Sequence, residues 1–116
     1  MPGKIMTQYG EIYISDDVLA SLAGLAAMEC YGIVGMASKS AKDGIVELLK
    51  RENLSRGVKV SSEAEEIIID LFVIVEFGTK ISAVADNIIS KVKYTLENLT
   101  GLKVKKVNIN VHGVRV

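Results

Sequence analysis

The pattern of apolar and polar positions divides the first third of the chain into three regular elements. Residues 10–15 alternate between polar and apolar side chains, which predicts a β-strand. Ser15 follows as the predicted N-cap of a helix, and two aspartates lie in its first turn, where carboxylates favour the helix dipole. This helix is expected to end near Gly32, and residues 33–38 read as the next strand.

The strongest strand signal covers residues 67–77. One side of the alternation is wholly apolar, and its predicted members are Ile67, Ile69, Leu71, Val73, Val75 and Phe77. The other side is mixed, with Ile68, Asp70, Phe72, Ile74 and Glu76. This pattern is typical of a strand in the centre of a sheet, with one face under helices and the other only partly solvated.

The remaining pattern completes a single domain over residues 1–116. A short helix is predicted over 45–52, a break over 53–57, and a hairpin arm over 58–62 that turns at residues 63–65. A long helix follows Gly78-Thr79 and stops at Gly101, with an apolar stripe made of Ile81, Val84, Ala85, Ile88, Val92, Leu96 and Leu99. A last strand over 103–111 turns Val107, Ile109 and Val111 to the core. The order β-α-β-(α)-β-β-α-β predicts an α/β (α+β) two-layer sandwich, a mixed sheet with helices mainly on one face.

Composition narrows the function classes. The chain has 116 residues, and its 14 basic side chains balance its 14 acidic ones, so no overall charge attracts it to nucleic acid or to an anionic membrane. A single cysteine cannot form an internal disulfide, and no apolar run reaches the roughly 20 residues that span a bilayer. We therefore expect a cytoplasmic protein without direct membrane insertion, and any membrane association is expected to come through a partner.

The residues that usually perform catalysis are sparse and scattered. The only histidine and the only cysteine, His112 and Cys30, fall on a late strand and an early helix end, with no catalytic motif around either. Asp70 and Glu76 lie on one strand face, roughly 20 Å apart, which is too far for an acid–base pair. They are expected to keep that face soluble or to pair with lysines such as Lys59. We expect no enzyme activity, cofactor or metal site.

The mixed sheet face is the candidate interaction surface. Its residues, with those of the last strand that point the same way, are Ile68, Phe72, Ile74, Asn108, Asn110 and His112. If helices cover only the opposite face, these side chains form an exposed partly apolar surface of the kind that binds partners. Alternatively, the insert over residues 39–56 folds over them, and the surface is interior.

A basic segment offers a second, less favoured function. Its members are Lys39, Lys42, Lys50, Arg51, Arg56 and Lys59. Such a patch would bind nucleic acid in a salt-dependent way. The zero net charge and the absence of aromatic residues interleaved with the basic ones make nucleic acid an unlikely partner.

The order of several segments resembles the alkaline shock protein family. They are an opening strand and Ala-rich helix over residues 10–36, a strand entry over 54–60, a core over 69–78 and a closing segment over 100–114. One position departs from the pattern, because residues 63–66 (Glu-Ala-Glu-Glu) lack the glycine expected at that hairpin turn.

The resemblance implies a function in envelope stress or homeostasis in Gram-positive-type bacteria, without known catalytic activity. Larger family members are held at the membrane by a small membrane-anchor partner and self-associate. The resemblance therefore implies a protein partner, self-association and a non-enzymatic scaffold role for this chain, and it supplies no catalytic residues.

Overall fold

A computed structural model of the chain describes residues 3–39, 49 and 51–116. The helices are α1 (Asp16–Met28) and α2 (Ile81–Thr100), with a 3₁₀ helix over Arg51–Gly57. The strands are β1 (Lys4–Thr7), β2 (Gly10–Tyr13), β3 (Ile33–Met36), β4 (Val58–Glu63), β5 (Glu66–Glu76) and β6 (Val104–Arg115). The short helix predicted over residues 45–52 lies mostly outside the described residues.

Strand β5 is the centre of the main sheet. Strand β6 pairs with it in parallel along nearly its whole length. On the opposite edge, β4 pairs antiparallel with residues 66–71 and β3 with residues 73–75, so β3 and β4 lie end to end. The sheet is therefore mixed, as predicted, because the long helix α2 carries the chain from β5 back to a parallel neighbour.

Both helices pack on one face of this sheet. The apolar side of β5, from Ile67 to Val75, forms a single buried core with α1 and with the stripe of α2 that includes Ile88 and Leu96. Small residues let α1 approach closely. At Gly24 an added Cβ would lie 3.0 Å from Leu54 Cβ of the 3₁₀ helix. The predicted two-layer sandwich with helices on one sheet face is confirmed.

The ends of both helices follow from local sequence. Ser15 has extended backbone geometry, and its Oγ accepts a hydrogen bond from the Val18 N–H at 3.2 Å, as predicted for an N-cap. Helix α2 ends where Gly101 adopts φ +78°, and its N–H donates to the Glu97 carbonyl. Helix α1 ends earlier than predicted, because Glu29 is its C-cap and Gly32, at φ +87°, shapes the turn into β3.

The turn between β4 and β5 is tight although it lacks glycine. Glu63 pairs with Glu66, so only Ala64 and Glu65 connect the strands. Both have positive φ, 53° and 68°, which is the type I′ geometry that suits the twist of a two-residue hairpin. The hairpin lies where the sequence predicted it. Because the turn contains no glycine, two residues that carry a Cβ adopt left-handed geometry.

The N-terminal part of the chain differs from the prediction. The strand expected over residues 10–15 is shorter and does not join the main sheet. It pairs with β1, an unpredicted strand, in a separate antiparallel hairpin. Residues 53–57, expected to break a helix, are themselves 3₁₀ helical with a kink at Asn53.

Four apolar residues that the periodicity assigned to the core are exposed. They are Phe77, Ile81, Leu99 and Val111. Phe77 follows the last residue of β5, and Ile81 and Leu99 lie in the terminal turns of α2, beyond the reach of the sheet. Val111 lies on β6, which among the described residues pairs with β5 alone. The other positions of these stripes are buried or partly buried, so alternation and helical spacing predicted most of the core correctly.

Candidate interaction surface on the open sheet face

The sheet face opposite the helices is built from side chains of three strands. We call it the outer face, and its members are Lys59, Ile68, Asp70, Phe72, Lys106, Asn108, Asn110 and His112. The register places Lys59, Asp70 and Asn108 in one row and Phe72 beside Asn110 in the next. The outer face is thus a contiguous patch rather than scattered positions.

Phe72 lies at the middle of the outer face and is only partly buried. Its ring contacts the His112 ring edge-on, with 5.0 Å between centroids and 69° between planes. His112 occupies a β-bulge, because β6 pairs Val111 with Val73 and then Gly113 with Ile74. The bulge brings an exposed imidazole against the aromatic ring, so one apolar group and one polar ring form a joint contact surface.

Two asparagines of β6 form hydrogen bonds with β5 in the polar part of the outer face. Asn108 donates from Nδ2 to Asp70 Oδ1 at 2.9 Å, and Asn110 donates from Nδ2 to the Leu71 carbonyl at 3.2 Å. The expected lysine partner of Asp70 is therefore replaced by an asparagine. The alternation of side chains in the sequence predicted that these residues share one face. It could not predict the specific hydrogen bonds between them, which the structure shows.

Ile74 is a correction. It was expected on the interaction surface, but its side chain is completely buried. Strand β5 is paired on both sides at this point, with Gly35 of β3 and Gly113 of β6, and both pairings shift register there. Alternation predicts on which side of β5 a residue lies, but it does not predict whether other segments cover that residue. Because it is fully buried, Ile74 offers no contact surface to a partner, although it does not belong to the core cluster that the helices cover.

The described part of the insert lies on the helix side of the sheet. Leu54 of the 3₁₀ helix is buried in the core that includes α1. Within the part of the chain that the structure describes, this element leaves Phe72 partly exposed. Residues 51–56 therefore do not cover the outer face, contrary to the alternative in which the insert over residues 39–56 does so. Residues 40–48 and 50 lie outside the described residues.

The basic segment is only partly described. Lys42 and Lys50 lie outside the described residues, and Arg51 is described only in its backbone. Lys39 and Lys59 line a small cleft, and Lys39 Nζ donates to the Val58 carbonyl at 3.1 Å. Arg56 is exposed and does not line this cleft.

That same cleft carries two carboxylates. Asp16 and Asp17, from the first turn of α1, line it together with the two lysines. These acidic groups would repel a phosphate backbone at this cleft. The geometry therefore does not favour a nucleic-acid interface here.

The two residues considered for catalysis, Cys30 and His112, lie in different parts of the fold. Cys30 is partly buried near the end of α1, where desolvation raises the pKa of its thiol and favours the unreactive protonated form. His112 contacts Phe72 rather than a nucleophile. Among the described residues, no three His, Cys, Asp or Glu side chains are grouped so as to hold a metal ion.

Neither helix within the described ranges is long and apolar enough to cross a membrane. The longer one, α2, is amphipathic and its buried stripe faces the sheet.

Comparison with known proteins supports the resemblance. Over 114 residues the chain is 57% identical to an uncharacterized protein, YloU, of Bacillus subtilis, covering 97% of this chain and 95% of the relative. It is 44% identical over 117 residues to uncharacterized protein Spy1614 of Streptococcus pyogenes, covering 100% of this chain and 97% of that protein.

A more distant relative has a descriptive name. It is a stress response regulator gls24 homolog of Streptococcus pyogenes, 24% identical over 106 residues that make up 91% of this chain and 59% of that protein. No solved structure matches the chain. A sequence model of the ASP23 family, described as having a cell envelope-related function, matches residues 4–116, where ASP stands for alkaline shock protein. The chain belongs to this family.

Proposed function

We propose that this chain is a non-enzymatic interaction protein of the bacterial cell envelope response, which binds a partner protein through its outer face. The family has a cell envelope-related function, and the gls24 homolog is named as a stress response regulator. A chain with such a role needs a recognition surface, and the outer face supplies a candidate.

The single observation that carries the proposal is the partly exposed Phe72 in the middle of the sheet. A phenylalanine surrounded by asparagines and a histidine resembles the centre of a protein interface, where an aromatic anchor is ringed by polar groups. The helices bury the other sheet face, so within the described residues this is the side of the sheet that remains available to a partner.

The proposed partner is an integral membrane protein that holds the chain at the cytoplasmic side of the membrane. Since neither described helix can span a bilayer, membrane location of this chain would come from such a contact. We also propose that the chain self-associates, as a scaffold protein would. The outer face carries both apolar and hydrogen-bonding groups, which suits a protein surface better than a lipid one.

The test is recovery of the partner from host membranes. Tagged wild-type chain is captured from the detergent-solubilised membrane fraction of its own host, and the stoichiometric bound membrane protein is identified. The capture is repeated with Phe72→Ala. Truncating a central interface aromatic is expected to lower recovery of that protein roughly tenfold or more.

The matched control is Tyr94→Ala, which removes an exposed aromatic side chain from α2 on the helix layer. It is expected to leave recovery unchanged, and thermal melts of both variants show that they are folded. Equal recovery with Phe72→Ala and wild type would refute the outer face as the site. Capture of nucleic acid in place of a membrane protein would support the basic segment instead.

A further inference from the structure

Four large apolar side chains are exposed at one end of the main sheet, and we call them the end patch. They are Tyr31, Phe77, Ile81 and Val114. The two aromatic members are 80% and 68% exposed. The end patch lies in three segments of the chain, residues 31–32, 76–81 and 114–116. A group of large exposed apolar side chains usually marks a contact site.

Backbone hydrogen bonds bring the three segments together. The Glu76 N–H donates to the Gly32 carbonyl at 2.9 Å, and the Phe77 N–H donates to the Arg115 carbonyl at 2.7 Å. The segments before β3, after β5 and at the end of β6 therefore meet, and α2 begins a few residues after Phe77. The side chains of the end patch thus come from neighbouring segments and not from separate surfaces.

The three segments are locally positive. They contain two basic side chains, Lys80 and Arg115, and one acidic side chain, Glu76. Neither base forms an ion pair within the part of the chain that the structure describes. Helix α2 adds to this charge, because its first turn holds no acidic residue and its dipole is positive at that end. The end patch therefore combines aromatic, aliphatic and basic groups, although the whole chain has no net charge.

The N-terminal hairpin also exposes apolar groups, but the charge around it has the opposite sign. Its exposed apolar members are Met6, Tyr9, Ile12 and Tyr13. Residues 4–17, which hold the hairpin and the start of α1, contain three acidic side chains and one lysine. An anionic lipid surface attracts bases that lie close to it and repels acids. Charge therefore selects the end patch, and not the hairpin, for such a surface.

We propose that the end patch contacts the headgroup region of an anionic lipid bilayer. Tyr31 and Phe77 lie at the level where aromatic side chains are enriched in membrane proteins, and Lys80 and Arg115 bind lipid phosphates. The contact is shallow, so the chain lies on the membrane and does not span it. This inference rests on the proposed location of the chain at the membrane, and it adds lipid to the protein partner. Stable anchoring takes two such signals, because a single weak contact is readily reversed.

Tryptophan fluorescence tests where the contact lies. The chain contains no tryptophan, so Phe77→Trp introduces a single reporter into the end patch. The purified variant is mixed with phosphatidylcholine vesicles that contain about one-third phosphatidylglycerol. Its emission is expected to shift to the blue and to be quenched by brominated lipids, because the indole leaves water for the headgroup region. The matched control Tyr9→Trp, in the hairpin, is expected to keep its emission unchanged.

Vesicle flotation measures what single groups contribute. Phe77→Ala and Lys80→Gln are each expected to lower partitioning onto the anionic vesicles about fivefold. The control Lys93→Gln removes an exposed lysine that lies about 18 Å along α2 from Ile81, which is beyond the Debye length at physiological salt. It is expected to leave partitioning unchanged, and thermal melts show that all variants are folded.

Any of three results would overturn the proposal. They are an unshifted emission of Phe77→Trp with anionic vesicles, an equal shift of Tyr9→Trp, and equal partitioning of the wild type onto vesicles of phosphatidylcholine alone. The vesicles contain no protein, whereas the capture with Phe72→Ala is made in detergent without a bilayer. The lipid contact and the proposed protein contact are therefore tested separately, and failure of one is distinguishable from failure of the other.

Discussion

The glycine-free turn between β4 and β5 gives the sharpest test of the backbone geometry. Ala64 and Glu65 both have positive φ, at 53° and 68°. Left-handed geometry costs an L-residue with a Cβ roughly 1–2 kcal/mol. Asn tolerates this region better than Ala, and Gly tolerates it best, so the double variant Ala64→Asn/Glu65→Gly converts the turn to the preferred Asn-Gly type I′ sequence.

The expected gain is smaller than the full strain. Glycine also loses more conformational entropy on folding, which costs about 0.5–1 kcal/mol. The net effect is therefore a stabilisation of about 1 kcal/mol, which corresponds to a rise in Tm of about 3–6 °C for a domain of this size. The free energy of unfolding is measured by urea denaturation, with an unchanged slope expected because the folded surface is the same.

Two controls separate backbone strain from other effects. Glu65→Ala removes the same carboxylate but keeps a Cβ at positive φ, so it is expected to gain much less than the double variant. Ser90→Gly introduces a glycine at an exposed position in the middle of α2 and is expected to lose about 0.5 kcal/mol. A double variant no more stable than the wild type would refute the type I′ geometry of this turn.

Three further predictions use glycines, an ion pair and the cysteine. Gly32→Ala is expected to lower Tm more than Gly101→Ala in thermal melts, because both positions have positive φ but only at Gly32 would an added Cβ meet a valine methyl at 2.5 Å; equal losses would contradict the close packing. Hydrogen bonding to Lys105 lowers the pKa of Glu63 below its ordinary 4.5, so this pair stabilises the fold above that ordinary pKa and the contribution is lost as the pH falls through the lowered pKa. The stability difference between wild type and Lys105→Met in urea melts should therefore vanish in acid, and a difference that persists there would argue against the pair. Burial raises the pKa of the Cys30 thiol, so its alkylation followed by mass spectrometry should be slower at neutral pH than that of free cysteine, and a rate equal to or above that of free cysteine would place the thiol outside the described environment.

The parts of the fold that sequence predicted are those set by local or strongly periodic signals. Ser15 caps α1 because its hydroxyl and the following aspartates act within one helical turn. The alternation of β5 identified a central strand because one side, from Ile67 to Val75, is apolar without interruption. The layer order follows from these elements, since an apolar sheet face and two apolar helix stripes can be buried only against each other.

The parts that sequence missed depend on contacts between distant segments. Strand β1 has little periodicity of its own, and it is a strand because it pairs with β2. The exposure of Phe77 and Leu99 is set by where the opposing layer ends, which neither residue's neighbours in sequence reveal. Ile74 is buried at a point where β5 is paired on both sides, with Gly35 and Gly113, and the sequence of β5 itself reveals neither neighbour.

The alternation of side chains predicted part of the outer face but not its arrangement. Alternation placed Phe72 and Asn110 on one side of the sheet, but it could not show that β6 lies next to β5 rather than at the opposite edge. Parallel pairing decides this, because it puts Phe72 beside Asn110 and, through the bulge, within ring contact of His112. The chemistry of the surface therefore arises from the non-local pairing of β5 with β6.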